Sequence, residues 1–314
     1  MTIAFTFPGQ GSQAVGMGQI LADTYPEAKA VFDEIDEALG QKLSDVMWNG
    51  PEGDLTLTAN AQPALMAVSL ATMRVLEAKG LDLKTTASYV AGHSLGEYSA
   101  LAAAGSLDIG TAAKLLRVRG DAMQSAVPVG QGAMAALLGL DFDVAVEIAE
   151  EASQGEVCQA ANDNAPGQVV VSGHVAAVER AVEIAKAKGA RRAILLPVSA
   201  PFHCSLMGPA AEAMAEALAE ADIKVPSVPL VANVLAAPIT DPAEIRDRLV
   251  EQVTGTVRWR ESITWLADQG VETFVEVGTG KVLTGMVKRI AKGAAGVAVN
   301  TPEDIDALMD KLSG

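Results

Sequence analysis

Gly92-His93-Ser94-Leu95-Gly96 is the segment where residue type and spacing most directly spell out chemistry. A serine with glycines two positions before and after it is the pattern of a nucleophile elbow. This is a sharp turn from strand into helix that projects the hydroxyl. The glycines let the backbone pass where a Cβ would clash. A helix starting behind the serine offers free N–H groups and a favourable dipole to a developing oxyanion. The apolar run 86–91 precedes the segment and an Ala-rich stretch to about residue 104 follows it. Strand, turn and helix therefore fall where an elbow needs them. The chemistry expected is acyl transfer or hydrolysis through an acyl-serine ester.

Such a serine needs a base, and the chain has three histidines. His93 adjoins the serine and is expected to point elsewhere on the turn. His174 opens a helical stretch, where a surface or capping role accounts for it. His203 lies in the irregular segment Ser199-Ala200-Pro201-Phe202-His203-Cys204 directly after a predicted strand, where catalytic groups tend to sit. Elimination leaves His203. No aspartate marks itself as a third member, which leaves a backbone carbonyl as one way to orient the imidazole. Arg119 interrupts an otherwise apolar helical pattern. Spacing alone does not separate a solvated arginine from one facing the site. In the site, its planar fork would suit a bidentate grip on a carboxylate.

Two glycine-rich segments suggest other chemistry and fail on context. Gly9-x-Gly11-x-x-Ala14 fits a loose dinucleotide fingerprint, but Asp33 and Glu34, at the distance of the ribose-binding acid, lie in helical sequence rather than at a strand end. Gly278-Thr279-Gly280-Lys281 lacks the first glycine of a phosphate loop, with Val275 in its place and Val282 after the lysine.

The elements around these residues alternate. Strand patterns are predicted at 3–7, 86–91, 229–233, 273–277 and near 297. Helices are predicted at 26–39, 63–79, 205–220, 241–252, 262–269 and 282–290, with Asp108 capping another that reaches about 126. Residues 133–140, 144–152, 157–161, 168–172, 175–188 and 192–198 read β-α-β-β-α-β, the order of a ferredoxin-like unit. It starts after the boundary sequence Val127-Pro128-Val129-Gly130-Gln131-Gly132. The expectation is a discontinuous large α/β domain, 1–127 and 199–314, carrying a small domain, 128–198, as an insertion.

A net charge of −16 argues against nonspecific nucleic-acid binding and against an anionic membrane surface. An acidic or phosphorylated partner would need a local basic patch. The candidates are Lys281, Lys288, Arg289 and Lys292, and a second group, Lys186, Lys188, Arg191 and Arg192. Two cysteines, Cys158 and Cys204, without metal-ligand spacing give no expectation of a disulfide framework or a metal site. No secretion leader is evident, and no apolar run approaches the roughly 20 residues of a membrane span. The expectation is a cytoplasmic protein.

Several motifs in order resemble the malonyl-CoA:acyl carrier protein transacylases of fatty-acid synthesis and their relatives in polyketide synthases. They are Phe7-Pro8-Gly9-Gln10-Gly11-Ser12-Gln13, Gly92-His93-Ser94-Leu95-Gly96-Glu97-Tyr98, Arg119-Gly120-Asp121-Ala122-Met123-Gln124, Asn162-Asp163-Asn164-Ala165-Pro166-Gly167-Gln168, Phe202-His203, and Glu276-Val277-Gly278-Thr279-Gly280-Lys281-Val282-Leu283. The resemblance implies an α/β-hydrolase-like large domain with a ferredoxin-like insertion. It implies Ser94 as nucleophile, His203 as general base, and the N–H groups of Gln10 and Leu95 as the oxyanion hole. Arg119 would pair with the free malonyl carboxylate, the Gln252 main-chain carbonyl would hold the imidazole, and Gln62 would lie near the pocket. Malonyl-CoA and acyl carrier protein would be the two substrates in a ping-pong cycle, with no cofactor. An acidic carrier would dock on Lys281, Lys288, Arg289 and Lys292. Phe202 before the histidine resembles the malonyl-selecting form of that motif. Thr279 and Gly255-Thr256-Val257 depart from the family's pattern as loop variation.

Overall fold

Alternation along the first strand sets the architecture. Ile3, Phe5 and Phe7 of β1 (Ile3–Phe7) enter one hydrophobic cluster while Ala4 enters another, on the opposite face. A strand buried on both faces belongs inside a sheet covered on both sides. The computed structural model, which describes residues 2–313, has such a sheet. Its order is β10-β9-β1-β2-β7-β8, with β2 at Tyr89–Gly92, β7 at Leu230–Ala232, β8 at Ala237–Ile239, β9 at Thr273–Val277 and β10 at Ala295–Val299. All neighbours run parallel except β8, which pairs antiparallel with β7. One face packs on helices that include Thr58–Ala78 and Ile109–Ser125, the other on Trp259–Asp268 and Val282–Ile290.

A second, antiparallel sheet is contiguous in sequence between β2 and β7. Its order is β4-β5-β3-β6, from β3 (Gly132–Leu138), β4 (Cys158–Ala165), β5 (Gln168–His174) and β6 (Arg192–Leu195). Helix Phe142–Ser153 follows β3 and helix Val175–Ala187 follows β5; both cover one face through Ala135, Leu137, Val169 and Val171. The other face turns Met134 and Val170 toward the main core. The sheets are joined where Asp163 donates its N–H to the Val257 carbonyl (2.9 Å) and Val257 donates to Ala161 (2.9 Å). Beside that bridge the buried Asp163 accepts from Arg260 through both carboxylate oxygens, at 3.0 and 2.9 Å.

Several boundaries differ from the sequence expectation. Asp82 caps a one-turn helix, Leu83–Thr86, so β2 starts at Tyr89 rather than residue 86. The helix expected from Pro63 begins at Thr58 and runs through the proline. β4 continues to Ala165, which leaves Pro166-Gly167 as the turn. β6 stops at Leu195; Leu196 still donates its N–H to the Met134 carbonyl of β3 (2.8 Å), and the chain leaves the sheet at Pro197. The helix predicted at 262–269 begins at Trp259, and a helix at Pro302–Ser313 was not expected at all.

Candidate active site

Gly92 at the end of β2 lies beside Phe7 at the end of β1. The loops leaving those two strands therefore emerge together, at the carboxyl edge where parallel sheets carry their sites. Ser94 occupies a left-handed conformation, φ 53°, between β2 and the helix Gly96–Ala103. The flanking glycines are required by contact. A Cβ on Gly92 would stand 1.9 Å from the Gly96 carbonyl, and one on Gly96 would stand 2.3 Å from the Phe7 oxygen. Asn233, directly after β7, fixes the turn: its Oδ1 accepts the Ser94 N–H (2.8 Å) and its Nδ2 donates to the Gly92 carbonyl (2.7 Å).

His203 also adopts a left-handed conformation, φ 57°, which brings its ring to the serine. Its Nε2 lies 2.7 Å from Ser94 Oγ and its Nδ1 lies 2.9 Å from the Gln252 carbonyl. A carbonyl can only accept, so Nδ1 carries the proton and Nε2 presents a lone pair to the serine hydroxyl. Burial, reinforced by the nearby Arg119 cation, pushes the His203 pKa down to about 3. The imidazole is therefore neutral and ready to accept.

Arg119 is 1% exposed. Its Nη1 donates to Gln62 Oε1 (2.7 Å), and its Nη2 to Gln252 Oε1 (2.8 Å) and to Ser94 Oγ (3.1 Å). Its Nε has no partner, and no carboxylate among the described residues reaches ion-pair distance. Burial works against its charge. The site thus holds a guanidinium that is charged at neutral pH, beside the serine, with unspent donor capacity.

Gln10 and Leu95 lie on the two adjoining loops, and their backbone N–H groups donate to no other group among the described residues. The Gln10 side chain is tied back through Thr58 Oγ1 (3.0 Å), which in turn accepts from Gln62 Nε2 (3.0 Å). A Cβ on Gly9 would meet the His93 carbonyl at 2.7 Å, so the first loop lies flush on the elbow. Ser94, His203, Arg119, Gln10, Leu95 and Gln62 open on one cavity of about 580 Å³. Met134, Val170, Asn162 and Asn164 of the antiparallel sheet form its opposite wall, with Phe202 and residues 196–198.

Ser94, His203, Arg119, Gln10, Leu95, Gln62 and Gln252 are thus brought together. Lys281, Lys288, Arg289 and Lys292 lie outside the cavity, exposed, and none forms an ion pair among the described residues. Of the second basic group, Lys186 and Lys188 are paired with Glu183 and Glu151. His93 makes no hydrogen bond to Ser94 Oγ among the described residues, in keeping with the expectation that it points elsewhere on the turn. It faces the cavity, with Nε2 2.8 Å from Asn164 Oδ1. His174 Nδ1 accepts the Val157 N–H (2.9 Å), away from the site. The described residues contain no group of three His, Cys, Asp or Glu placed to hold a metal ion, and no helix long and apolar enough to cross a membrane.

Sequence reasoning did not single out Asn233 or Glu97. Glu97 is 1% exposed behind the nucleophile. It accepts the Asn233 N–H at Oε1 (2.6 Å) and Gln252 Nε2 at Oε2. Burial pushes its carboxyl up to about 8, opposed by those two donors and by Arg119. The available signal was a glutamate directly after the elbow motif, on a helix of otherwise apolar and uncharged residues.

The chain matches the acyl transferase domain family over residues 4–302. It is 48% identical over 311 residues to a malonyl CoA-acyl carrier protein transacylase of Bacillus subtilis, covering 99% of this chain and 97% of that protein. Its structure superposes with a TM-score of 0.98 on an acyl-carrier-protein-S-malonyltransferase from Bartonella henselae, 55% identical, with complete coverage of both chains (100% each). A second solved structure is a type II PKS acyl-carrier protein in complex with its malonyl-transacylase. It matches at a TM-score of 0.96 and 42% identity, covering 99% of this chain and 100% of that one.

Proposed function

This chain belongs to the acyl transferase domain family, and we propose that it moves a malonyl group from malonyl-CoA to the phosphopantetheine thiol of acyl carrier protein. The observation that carries the malonyl reading is Arg119, a buried cation 3.1 Å from Ser94 Oγ with no carboxylate of its own. A free acyl carboxylate completes it. A simple esterase site would gain nothing from such a group.

The cycle has two symmetrical halves. Ser94 Oγ attacks the thioester carbonyl as its proton passes to His203 Nε2. The Gln252 carbonyl, accepting from Nδ1, steadies the resulting imidazolium. The N–H groups of Gln10 and Leu95 receive the carbonyl oxygen as it gains charge. The C–S bond breaks, and the coenzyme A sulfur leaves with the proton from His203. In the second half the carrier's thiol gives its proton to His203 and attacks the malonyl-serine ester. The C–Oγ bond breaks, and Ser94 recovers its proton. In this reading His203 handles the proton and the two N–H groups handle the developing charge, so it calls on no cofactor and no metal.

The same reading covers the architecture. We take 1–127 and 199–314 as an α/β-hydrolase-like domain and 128–198 as a ferredoxin-like insertion. The β-α-β-β-α-β order and the strand order β4-β5-β3-β6 support the second assignment. Lys281, Lys288, Arg289 and Lys292 would receive an acidic carrier. In support, Gly280 packs on Ser12 of the Gln10 loop, and Arg289 reaches across to Pro166 and Gln168 beside β4. The product would feed fatty-acid synthesis. A cytoplasmic location agrees with two unpaired thiols, Cys158 and Cys204.

Intact-mass spectrometry after brief mixing with malonyl-CoA tests the reading. The expected result is one malonyl adduct on Ser94, discharged onto holo-carrier when it is added. Equal discharge to free malonate without carrier would make the protein a hydrolase. Absence of any adduct would remove the acyl-serine chemistry altogether.

A further inference from the structure

Arg119 is a buried charge with no salt bridge among the described residues, and such a charge is costly unless something compensates it. The nearest compensation is one amide away. Gln252 accepts from Arg119 Nη2 at Oε1 (2.8 Å) and donates through Nε2 to Glu97 Oε2. The same Nε2 donates to the Ser94 carbonyl at 2.9 Å. One side-chain amide therefore joins a buried guanidinium, a buried carboxyl and the nucleophile's own backbone. We propose that Glu97 is the counter-charge of Arg119, coupled to it through the Gln252 side chain, and so a positioning residue for carboxylate specificity. The proposal rests on the reading that Arg119 pairs with the acyl carboxylate.

The indirect arrangement has a physical rationale. A carboxylate in direct contact with Arg119 would occupy the donors that a substrate carboxylate needs. Placed behind an amide, Glu97 favours the cation without itself taking any donor of Arg119. The polarity of the chain is fixed from both ends. Arg119 has only donors, so Gln252 must turn its oxygen toward it. Its NH2 then faces Glu97, which must accept. Glu97 Oε1 is already committed to the Asn233 N–H (2.6 Å), so both oxygens must be acceptors, as in a carboxylate. Glutamine cannot reproduce this. In one orientation its NH2 would face the NH2 of Gln252 and in the other the Asn233 N–H, and turning Gln252 over would present that NH2 to Arg119.

The test compares Glu97→Gln with Arg119→Ala, using malonyl-CoA and acetyl-CoA as donors. Assays run above the pH of about 8 to which burial pushes the Glu97 carboxyl. For Glu97→Gln, kcat/KM for malonyl should fall at least tenfold while that for acetyl changes less than threefold. Arg119→Ala should collapse the same ratio. If Arg119→Ala collapses it and Glu97→Gln lowers both donors equally, or neither, Glu97 is only structural and the proposal is overturned. If Arg119→Ala leaves the ratio intact, the carboxylate reading of Arg119 itself fails. Should Glu97→Gln not fold, Gln252→Leu cuts the same link and keeps the main-chain carbonyl for His203. An unchanged malonyl-to-acetyl ratio in that variant equally overturns the coupling.

Discussion

His203 can take the Ser94 proton only while its Nε2 is bare, and two features keep it so. The Gln252 carbonyl binds the proton on Nδ1, while burial and the Arg119 cation both disfavour a second proton. Because the pKa is lowered, the active, neutral form persists on the acid side of the usual histidine value of about 6.5. An uncharged serine-reactive phosphonofluoridate should therefore label Ser94 at a nearly constant rate from pH 8 to pH 6, and slow only in the acid range toward pH 3. In Arg119→Met the second of the lowering causes, after burial, is gone, and the acid limb should move up toward pH 6.5. A wild-type rate already halved near pH 6.5 would contradict the burial of His203. At this scale the meeting of Ser94 and His203 was legible, because both are marked by turn and strand-end sequence. Arg119 was legible only through family resemblance. Whether a helical arginine is buried depends on what packs over it, here the helix Thr58–Ala78 and Gln252, both remote in sequence. Asn233 was invisible for the same reason, since its partners Gly92 and Ser94 lie 141 and 139 positions away.

Elements position these residues by close approach, and glycines mark where they approach. Gly96→Ala would drive a methyl to 2.3 Å from the Phe7 oxygen, pushing the elbow off the end of β1 and misplacing Leu95 N–H against Gln10 N–H. Overpacking of this kind costs about 1–3 kcal/mol. We expect a lowered Tm and a Ser94 acylation rate reduced by about a hundredfold, consistent with the loss of oxyanion-hole geometry. Gly285→Ala is the control. It lies in the helix Val282–Ile290 with nothing within 4 Å of a built Cβ. There the substitution should raise stability by about 0.5–1 kcal/mol and leave the rate alone. A pair of thermal melts with single-turnover acylation separates the two outcomes. The G-x-S-x-G spacing was readable because the clash falls on residues two positions from the serine. The start of the Thr58–Ala78 helix was not. Thr58, Asn60 and Gln62 are polar and read as a loop, yet all three are buried, and Thr58 and Gln62 are hydrogen-bonded toward the cavity. Burial of polar side chains at a site removes the periodicity that announces a helix. The strand expected to reach residue 198 ends early similarly: pairing with β3 stops at the Leu196 N–H, and residues 196–198 are apolar because they wall the cavity.

Over the whole molecule, two sheets with separate cores meet across the cavity and are fastened by the Val257 bridge and the Asp163–Arg260 ion pair. The alternation of element types made both units legible. Their mutual placement depends on pairings about 95 residues apart, such as Thr256 with Ala160, which local sequence does not encode (|i−j| = 96). Charge is also organised at this scale. The chain carries −16 overall, so an acidic carrier meets a repulsive surface except where cations go unpaired. Lys281, Lys288, Arg289 and Lys292 form such a place, on and beside a helix that begins at the loop packed against Ser12 and ends near Pro166. Arg289 is partly committed to Pro166 and Gln168, both at 2.6 Å, so it contributes less freely than the lysines. Reversing Lys288 and Lys292 to glutamate should therefore raise KM for holo-carrier about tenfold at low salt, with kcat and the malonyl-CoA half-reaction unchanged. Reversing Lys186 and Lys188, already paired with Glu183 and Glu151, should have little effect. Because the contacts are exposed, the difference between the first variant and wild type should shrink as ionic strength rises and the Debye length falls below about 8 Å. An unchanged KM for carrier after the first reversal would place the docking surface away from Lys288 and Lys292.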